Sequence, residues 1–307
     1  MVLLYTELES VSILLYWNMN DCFFVSDLHG RISWYQRLFK VIEEEQPGAV
    51  FLGGDLMPSG MMSLTNGSHT IHDFFHDFLH MHFSRLKKGM DQAYPQVFLI
   101  LGNDDRRCDE VLFQEAEKEG LWHYMHDTKL VFDQYTVYGY AFVPPTPFLL
   151  KDWERYDVSR FVDPGCVPPE EGYRTVDIHK DIITYSTIQK DLEHLAGDDD
   201  LTNAIFLFHT PPYQTLLDRA ALDGKKIDHV PLDVNVGSIA VKRFLEERHP
   251  LISLHGHVHE SARITGHWKD RVGETHAFSA AHEGPELALV RFSPGAPERT
   301  TRELLSN

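Results

Sequence analysis

Five short apolar runs punctuate this chain: Phe23-Phe24-Val25, Ala49-Val50-Phe51-Leu52, Val97-Phe98-Leu99-Ile100-Leu101, Ala204-Ile205-Phe206-Leu207-Phe208 and Leu251-Ile252-Ser253-Leu254. Runs this short and continuous predict strands covered on both faces, as in a layered α/β protein, rather than strands with one wet face. Between them the period changes to that of helices. Ile32, Tyr35, Leu38, Phe39 and Ile42 form one stripe that ends before Pro47. A second helix is expected from Thr70 to Lys88, after the Asn66-Gly67 turn signal. A third is expected from Ser238 to Arg248, stopped by Pro250. Alternating stretches over Lys129–Tyr140 and Arg263–Phe292 predict antiparallel strands. The sum is an α/β fold of two facing sheets flanked by helices.

Each apolar run stops at residues able to bind a metal. Asp27 and His29 follow the first, Asp55 the second, Asn103 the third, His209 the fourth, and His257 and His259 the fifth. Ligands of open α/β sheets collect beyond the carboxyl ends of the strands, so the pattern predicts one metal site assembled there. Carboxylate, amide and imidazole donors together suit manganese, iron, zinc and similar divalent ions. Seven donors exceed the needs of one tetrahedral ion and match two ions that share Asp55. His257 and His259 sit two apart, so in extended backbone both leave on the same side. Gly30, Gly53, Gly54, Gly102 and Gly256 surround the donors, where a missing side chain permits sharp turns and close approach.

The strings Asp27-Leu28-His29-Gly30, Gly54-Asp55, Gly102-Asn103-Asp104-Asp105, His209 before Pro211-Pro212, and Gly256-His257-Val258-His259 together resemble the signature of the calcineurin-like metallophosphoesterases. Phe208-His209-Thr210-Pro211-Pro212-Tyr213 and Gly256-His257-Val258-His259-Glu260-Ser261 look like a poorly characterised prokaryotic branch of predicted phosphoesterases. The resemblance implies a four-layer α-β-β-α sandwich of two mixed sheets. It also implies one ion held by Asp27, His29 and His259, a second held by Asn103, His209 and His257, and Asp55 as the bridge. Manganese is the first expectation for the metal, with iron, zinc, nickel or magnesium as alternatives. The implied reaction is hydrolysis of a phosphomonoester or phosphodiester by a hydroxide bridging the two ions, which attacks phosphorus in line.

The third motif departs from the family pattern. Many hydrolytic members carry His directly after the Asn, where it stabilises the transition state, and this chain carries Asp104. A carboxylate beside phosphate oxygens repels them unless protonated or turned away, so Asp104 is not expected to replace that histidine. His255, Arg31 or the metals themselves are the candidate substitutes. Asp104 also leaves open an interaction module that binds metal but has lost efficient catalysis, as in a related retromer subunit used as a scaffold.

Composition narrows the class. The chain has 307 residues, 43% hydrophobic, enough for one large domain with a substantial core. Acidic residues outnumber basic ones, 46 to 28, for a net charge of −18, which disfavours a nuclease and favours a small phosphorylated, nucleotide-like substrate. Cys22, Cys108 and Cys166 are widely spaced and form no Cys-x-x-Cys pair, consistent with a reducing cytoplasm. No apolar stretch approaches ~18 residues, so no membrane span is expected. Residues 1–20 are read as a dispensable N-terminal extension, 21–292 as the metallophosphoesterase domain and 293–307 as a C-terminal tail. His69, His72, His76 and His80 share one helical face, read as polar surface opposite Phe74, Phe75, Phe78 and Leu79 rather than as a second metal site. The proline- and aromatic-rich segment from Ala141 to Tyr173 is read as a loop packing its own apolar side chains, with a substrate-selecting rim as the alternative.

Overall fold

The computed structural model describes residues 21–59 and 73–306. The N-terminal extension, the Asn66-Gly67 turn, His69 and His72 lie outside the described residues. Strand β1 is Cys22–Val25, helix α1 Ile32–Glu45 and β2 Ala49–Gly53. Helix α2, Met81–Met90, is led in by a π turn over Phe75–His80, and β3 is Gln96–Ile100. The second helix therefore runs to Met90, two residues beyond its expected end. Then come α3 (Glu110–Lys118), β4 (His123–Tyr124), β5 (Thr128–Phe132), β6 (Tyr135–Tyr140), α4 (Lys180–Tyr185), α5 (Ile188–Ala196) and β7 (Ala204–Phe208). The remainder is β8 (Lys226–Ile227), β9 (Val230–Pro231), α6 (Ile239–Arg248), β10 (Ile252–His255), α7 (Ser261–Thr265), β11 (Lys269–Val272), β12 (Thr275–Ser279), β13 (Leu287–Phe292) and β14 (Thr301–Leu305).

The strands form two six-stranded mixed sheets, ordered β14-β13-β1-β2-β3-β4 and β11-β12-β10-β7-β6-β5, plus the small β8-β9 hairpin. All five apolar runs are strands, and the three in the first sheet and the two in the second are parallel to their neighbours among them. β2 and β3 face β7 and β6 across the core. Helices cover the outer faces, which completes the four-layer α-β-β-α sandwich. Phe39 and Phe83 pack edge to face on one side, ring centroids 5.0 Å apart, and Phe206 and Phe244 do so on the other, also at 5.0 Å.

The helix limits follow from local chemistry. α1 ends at Gln46 and α6 at His249, both in left-handed backbone, each followed by the proline that prevents continuation. Ser238 caps α6 by accepting from Val241 N at 3.0 Å. One boundary differs from the sequence reading. The segment 293–307, expected to be a tail, carries β14, which pairs antiparallel with β13 at the sheet edge. Its side chains are mostly exposed, so it has no apolar run to announce it.

Phe51 is fully buried and stacks on Phe98 at 5.1 Å, with Phe292 at 5.6 Å. Phe51→Ala should lower the unfolding free energy by about 3–5 kcal/mol in a denaturant titration. A loss below about 1 kcal/mol would mean that this layer collapses around the gap or is not packed as described.

Candidate metal centre

The strands stop and the donors begin within one to three residues, and the backbone has to turn sharply to allow it. Asp27, His29, Asp55 and His257 all have positive φ, between 45° and 73°. Asp and His are among the few side chains that tolerate this region, so the residue types that bind metal also suit the turn. The loops after β1 and β2 are then zipped together: Asp27 N donates to Gly54 O, His29 N to Asp55 O and Gly30 N to Leu56 O, at 2.8–3.0 Å. Gly102 lets the third loop close in, since a Cβ there would lie 2.3 Å from Asp55 Oδ1.

The side chains converge as expected. One ligand atom from each of Asp27, His29, Asp55 and His259 lies within 4.8 Å of every other. His259 Nε2 is 3.2 Å from Asp27 Oδ1 and 3.3 Å from His29 Nε2. Asp55 faces both halves of the centre, with Oδ2 3.8 Å from His29 Nε2 and 3.3 Å from His209 Nε2. His209 Nε2 also lies 3.1 Å from Asn103 Oδ1, and the His257 ring stands edge-on to that of His209 at 5.2 Å. All seven predicted donors are therefore in one cluster. Imidazole nitrogens pointed at each other across buried carboxylates form a donor set that fits divalent cations.

A second set of contacts orients the donors. His209 donates from Nδ1 to Gly53 O at 2.7 Å, which leaves Nε2 to face Asp55 and Asn103. Asp27 accepts from Ser26 Oγ and from His257 N. Asp105 accepts from the backbone N–H groups of Leu56, Met57 and Gly102 at 2.8–3.1 Å, and so pins the second loop to the third. Asp104 is neither buried nor directed at solvent alone. Its Oδ2 lies 3.3 Å from His29 Nδ1, close but off the line of a well-formed hydrogen bond, while its backbone N donates to Asp55 Oδ1 at 2.8 Å. Asp104 thus stands against Nδ1 of His29, while Nε2 of the same ring is turned toward Asp55 and His259.

The two non-ligand candidates are engaged by other groups. His255 is corrected from proton donor to framework residue: it is fully buried, with Nδ1 2.9 Å from Thr210 O and Nε2 2.9 Å from Ser253 Oγ, and its ring is stacked on Phe208. Burial pushes its proton affinity down to about 4, and neither nitrogen is left for a substrate. Arg31 lies 4.2 Å over the Trp34 ring, with Nη1 3.4 Å from Gly284 O. Of the histidine stripe, His76 pairs with Asp73 and His80 with Glu119, as polar surface groups do. Sequence reasoning missed the roles of Asp104, Asp105 and Ser26. The Asn103-Asp104-Asp105 string was the signal for the first two, but which way each carboxylate turns is set by the loop.

The electrostatics favour cation entry. Burial opposes charge on His209, yet Asp55, Asp27 and the Gly53 carbonyl outweigh it and raise its pKa to about 9. His29 rises to about 9 in the same way, against burial, through Asp104, Asp55 and Asp27. Burial and the neighbouring His209 push His257 down to about 3. Asp27 and Asp55 are held below the usual carboxylate range, because the surrounding histidines overcome the cost of burial.

The sequence profile of the family described as calcineurin-like phosphoesterase matches residues 22–261. No curated protein matches the chain. A solved structure 15% identical covers 94% of this chain and 99% of its own, with a TM-score of 0.58. That of the protein TT1561 from Thermus thermophilus, 16% identical, covers the same shares with a TM-score of 0.54. Both share the fold.

Two measurements check the centre. Nearby carboxylates raise the pKa of His29 and His209 to about 9, and a metal must displace those protons, so affinity should rise with pH until about pH 9. Calorimetry at pH 7.5 should then show heats that depend on the buffer's ionisation enthalpy, and buffer-independent heats would refute the displacement. Asp104→Ala should weaken metal binding about 10–100-fold, with Asp104→Asn, which keeps an acceptor for His29 Nδ1, losing less. Equal affinity in all three proteins would show that Asp104 does not support His29.

Proposed function

Because the chain belongs to the calcineurin-like phosphoesterase family, we propose that it is a two-metal hydrolase of small phosphate esters, nucleotide-like mono- or diesters. The observation that supports this best is the convergence of seven donors from five strand ends around Asp55. In this reading Asp27, His29 and His259 hold one divalent ion and Asn103, His209 and His257 the other. Manganese is the first candidate for the metal, and the mixed oxygen and nitrogen donors suit iron and zinc as well. When bound, such ions would supply charge to hold a phosphoryl group and to activate water near neutral pH.

The chain's own residues do the positioning. Asp55 faces both halves of the donor cluster and would be shared by the two ions. Gly53 O fixes the orientation of His209, and the Asp104 carboxylate stands against Nδ1 of His29, so the donors need little rearrangement as charge develops on the phosphoryl oxygens. Asp104 is spent on His29, and His255 on Thr210 and Ser253. No histidine stands where the family's motif-three histidine would protonate the leaving group, so esters whose leaving groups depart as stable anions are the favoured substrates. The same support of His29 by Asp104 argues against a module that has discarded its chemistry, because such a module has no need of oriented donors. The acidic surface argues against a nuclease.

The test is hydrolysis of p-nitrophenyl phosphate, p-nitrophenyl phenylphosphonate and bis-p-nitrophenyl phosphate by metal-stripped protein refilled with Mn, Ni, Zn or Mg. Turnover should depend on metal, and His257→Ala should lose at least about 100-fold in kcat. Inactivity on every ester with two ions bound would refute the hydrolase and favour the interaction module.

A further inference from the structure

The helix that follows the third group of donors begins without a cap of its own. Arg107–Asp109 form a 3-10 turn that runs directly into α3, and Arg106, the residue before it, makes no capping bond and turns its side chain to Asp109. The first amides of a helix have no partner within it and must find one elsewhere. Here they find it in the long insert after β6. Arg107 N donates to Asp152 Oδ2 at 2.8 Å, and Cys108 N donates to Thr175 Oγ1 at 2.9 Å. Thr175 donates in turn to the same carboxylate, from Oγ1 to Asp152 Oδ2 at 2.5 Å and from N to Asp152 Oδ1 at 2.8 Å. Asp152 is fully buried and accepts from all three groups. A carboxylate suits this post, because the start of a helix carries partial positive charge.

The mounting of Asp152 links this cap to the metal centre. Chain leaving β6 pairs with the residues just after Asp152: Val143 N donates to Trp153 O at 2.9 Å and Arg155 N to Val143 O at 3.0 Å. Asp152 thus stands on an extension of β6, in the second sheet, and β6 lies beside β7, from whose end His209 projects. Arg107 belongs to the first sheet, since only the loop over residues 101–106, which carries Asn103, Asp104 and Asp105, separates it from β3. The bond from Arg107 to Asp152 therefore ties the two sheets together at the end where the donors meet. Asn103 and His209 come one from each sheet, and their Oδ1 and Nε2 atoms lie 3.1 Å apart. Asp105 already holds the near part of the loop, through the amides of Leu56, Met57 and Gly102. Asp152 holds the far part.

We propose that Asp152 is a positioning residue of the metal centre, which fixes the start of α3, and with it the loop of Asn103, at the distance from His209 that a shared ion requires. Thr175 completes the hold as the relay between Cys108 N and the carboxylate. The inference rests on the reading of Asn103 and His209 as ligands of one ion, and it does not depend on which ester is hydrolysed.

The direct experiment is calorimetric titration of manganese into metal-stripped full-length protein and into its Asp152→Asn, Thr175→Val and Thr175→Ser variants, with circular dichroism and denaturant unfolding on each. Asp152→Asn keeps the shape of the side chain but cannot accept on both sides. Thr175→Val removes the hydroxyl, and Thr175→Ser keeps it. Asp152→Asn and Thr175→Val should bind at least one ion about tenfold or more weakly, while Thr175→Ser stays close to the native protein. A cap that served stability alone would lower the unfolding midpoint and leave the metal affinity of the folded protein where it was. Native affinity in folded Asp152→Asn and Thr175→Val would therefore overturn the positioning role. Should Asp152→Asn fail to fold, the two Thr175 variants decide on the same criterion. Absence of manganese binding by the native protein would overturn the metal centre itself, and this role with it.

Discussion

The site depends on the parallel pairing of β1 with β2 being carried past the ends of both strands. Three backbone hydrogen bonds, from Asp27, His29 and Gly30 to the second loop, continue the register after the chain has turned into left-handed backbone. They fix where Asp27, His29 and Asp55 stand relative to each other before any side chain is considered. The cost of positive φ at four donor positions is of order 1–3 kcal/mol each, and it persists because the zipped loops and the packed sheets leave the backbone no alternative. The result is a preorganised constellation on rigid elements, the condition under which electrostatic catalysis is effective.

The second sheet completes the centre from the opposite side. His209 leaves β7 and meets Asp55 across the core, and His257 and His259 leave β10 in a loop whose amide is bonded to Asp27. Neither sheet alone carries a full set of donors. Packing of the two sheets through Phe51, Phe98 and their neighbours is therefore coupled to the chemistry, since a slip of one layer would part Asp55 from His209.

Much of this was legible in the sequence. Strands buried on both faces read as apolar runs, and polar residues at their ends stand out against them, so β1, β2, β3, β7, β10 and the seven side chains that converge beyond them were legible. β14 was not, because an exposed edge strand has no continuous apolar face. The behaviour of Asp104 and His255 depended on which way a side chain turns: Asp104 toward His29, and His255 into the framework between Thr210 and Ser253. The cap that Asp152 and Thr175 place on α3 was out of reach for another reason. Arg107 opens a short 3-10 turn and Asp152 and Thr175 lie in the loops that follow β6, and only the fold brings them together.

The most direct test of the central claim is the metal content of the purified chain after reconstitution with manganese and removal of unbound ions. Two ions per chain, falling to one or fewer in His259→Ala and in His209→Ala, is the result that a centre built on Asp55 predicts. A single ion in the native protein that survives loss of either histidine would contradict it.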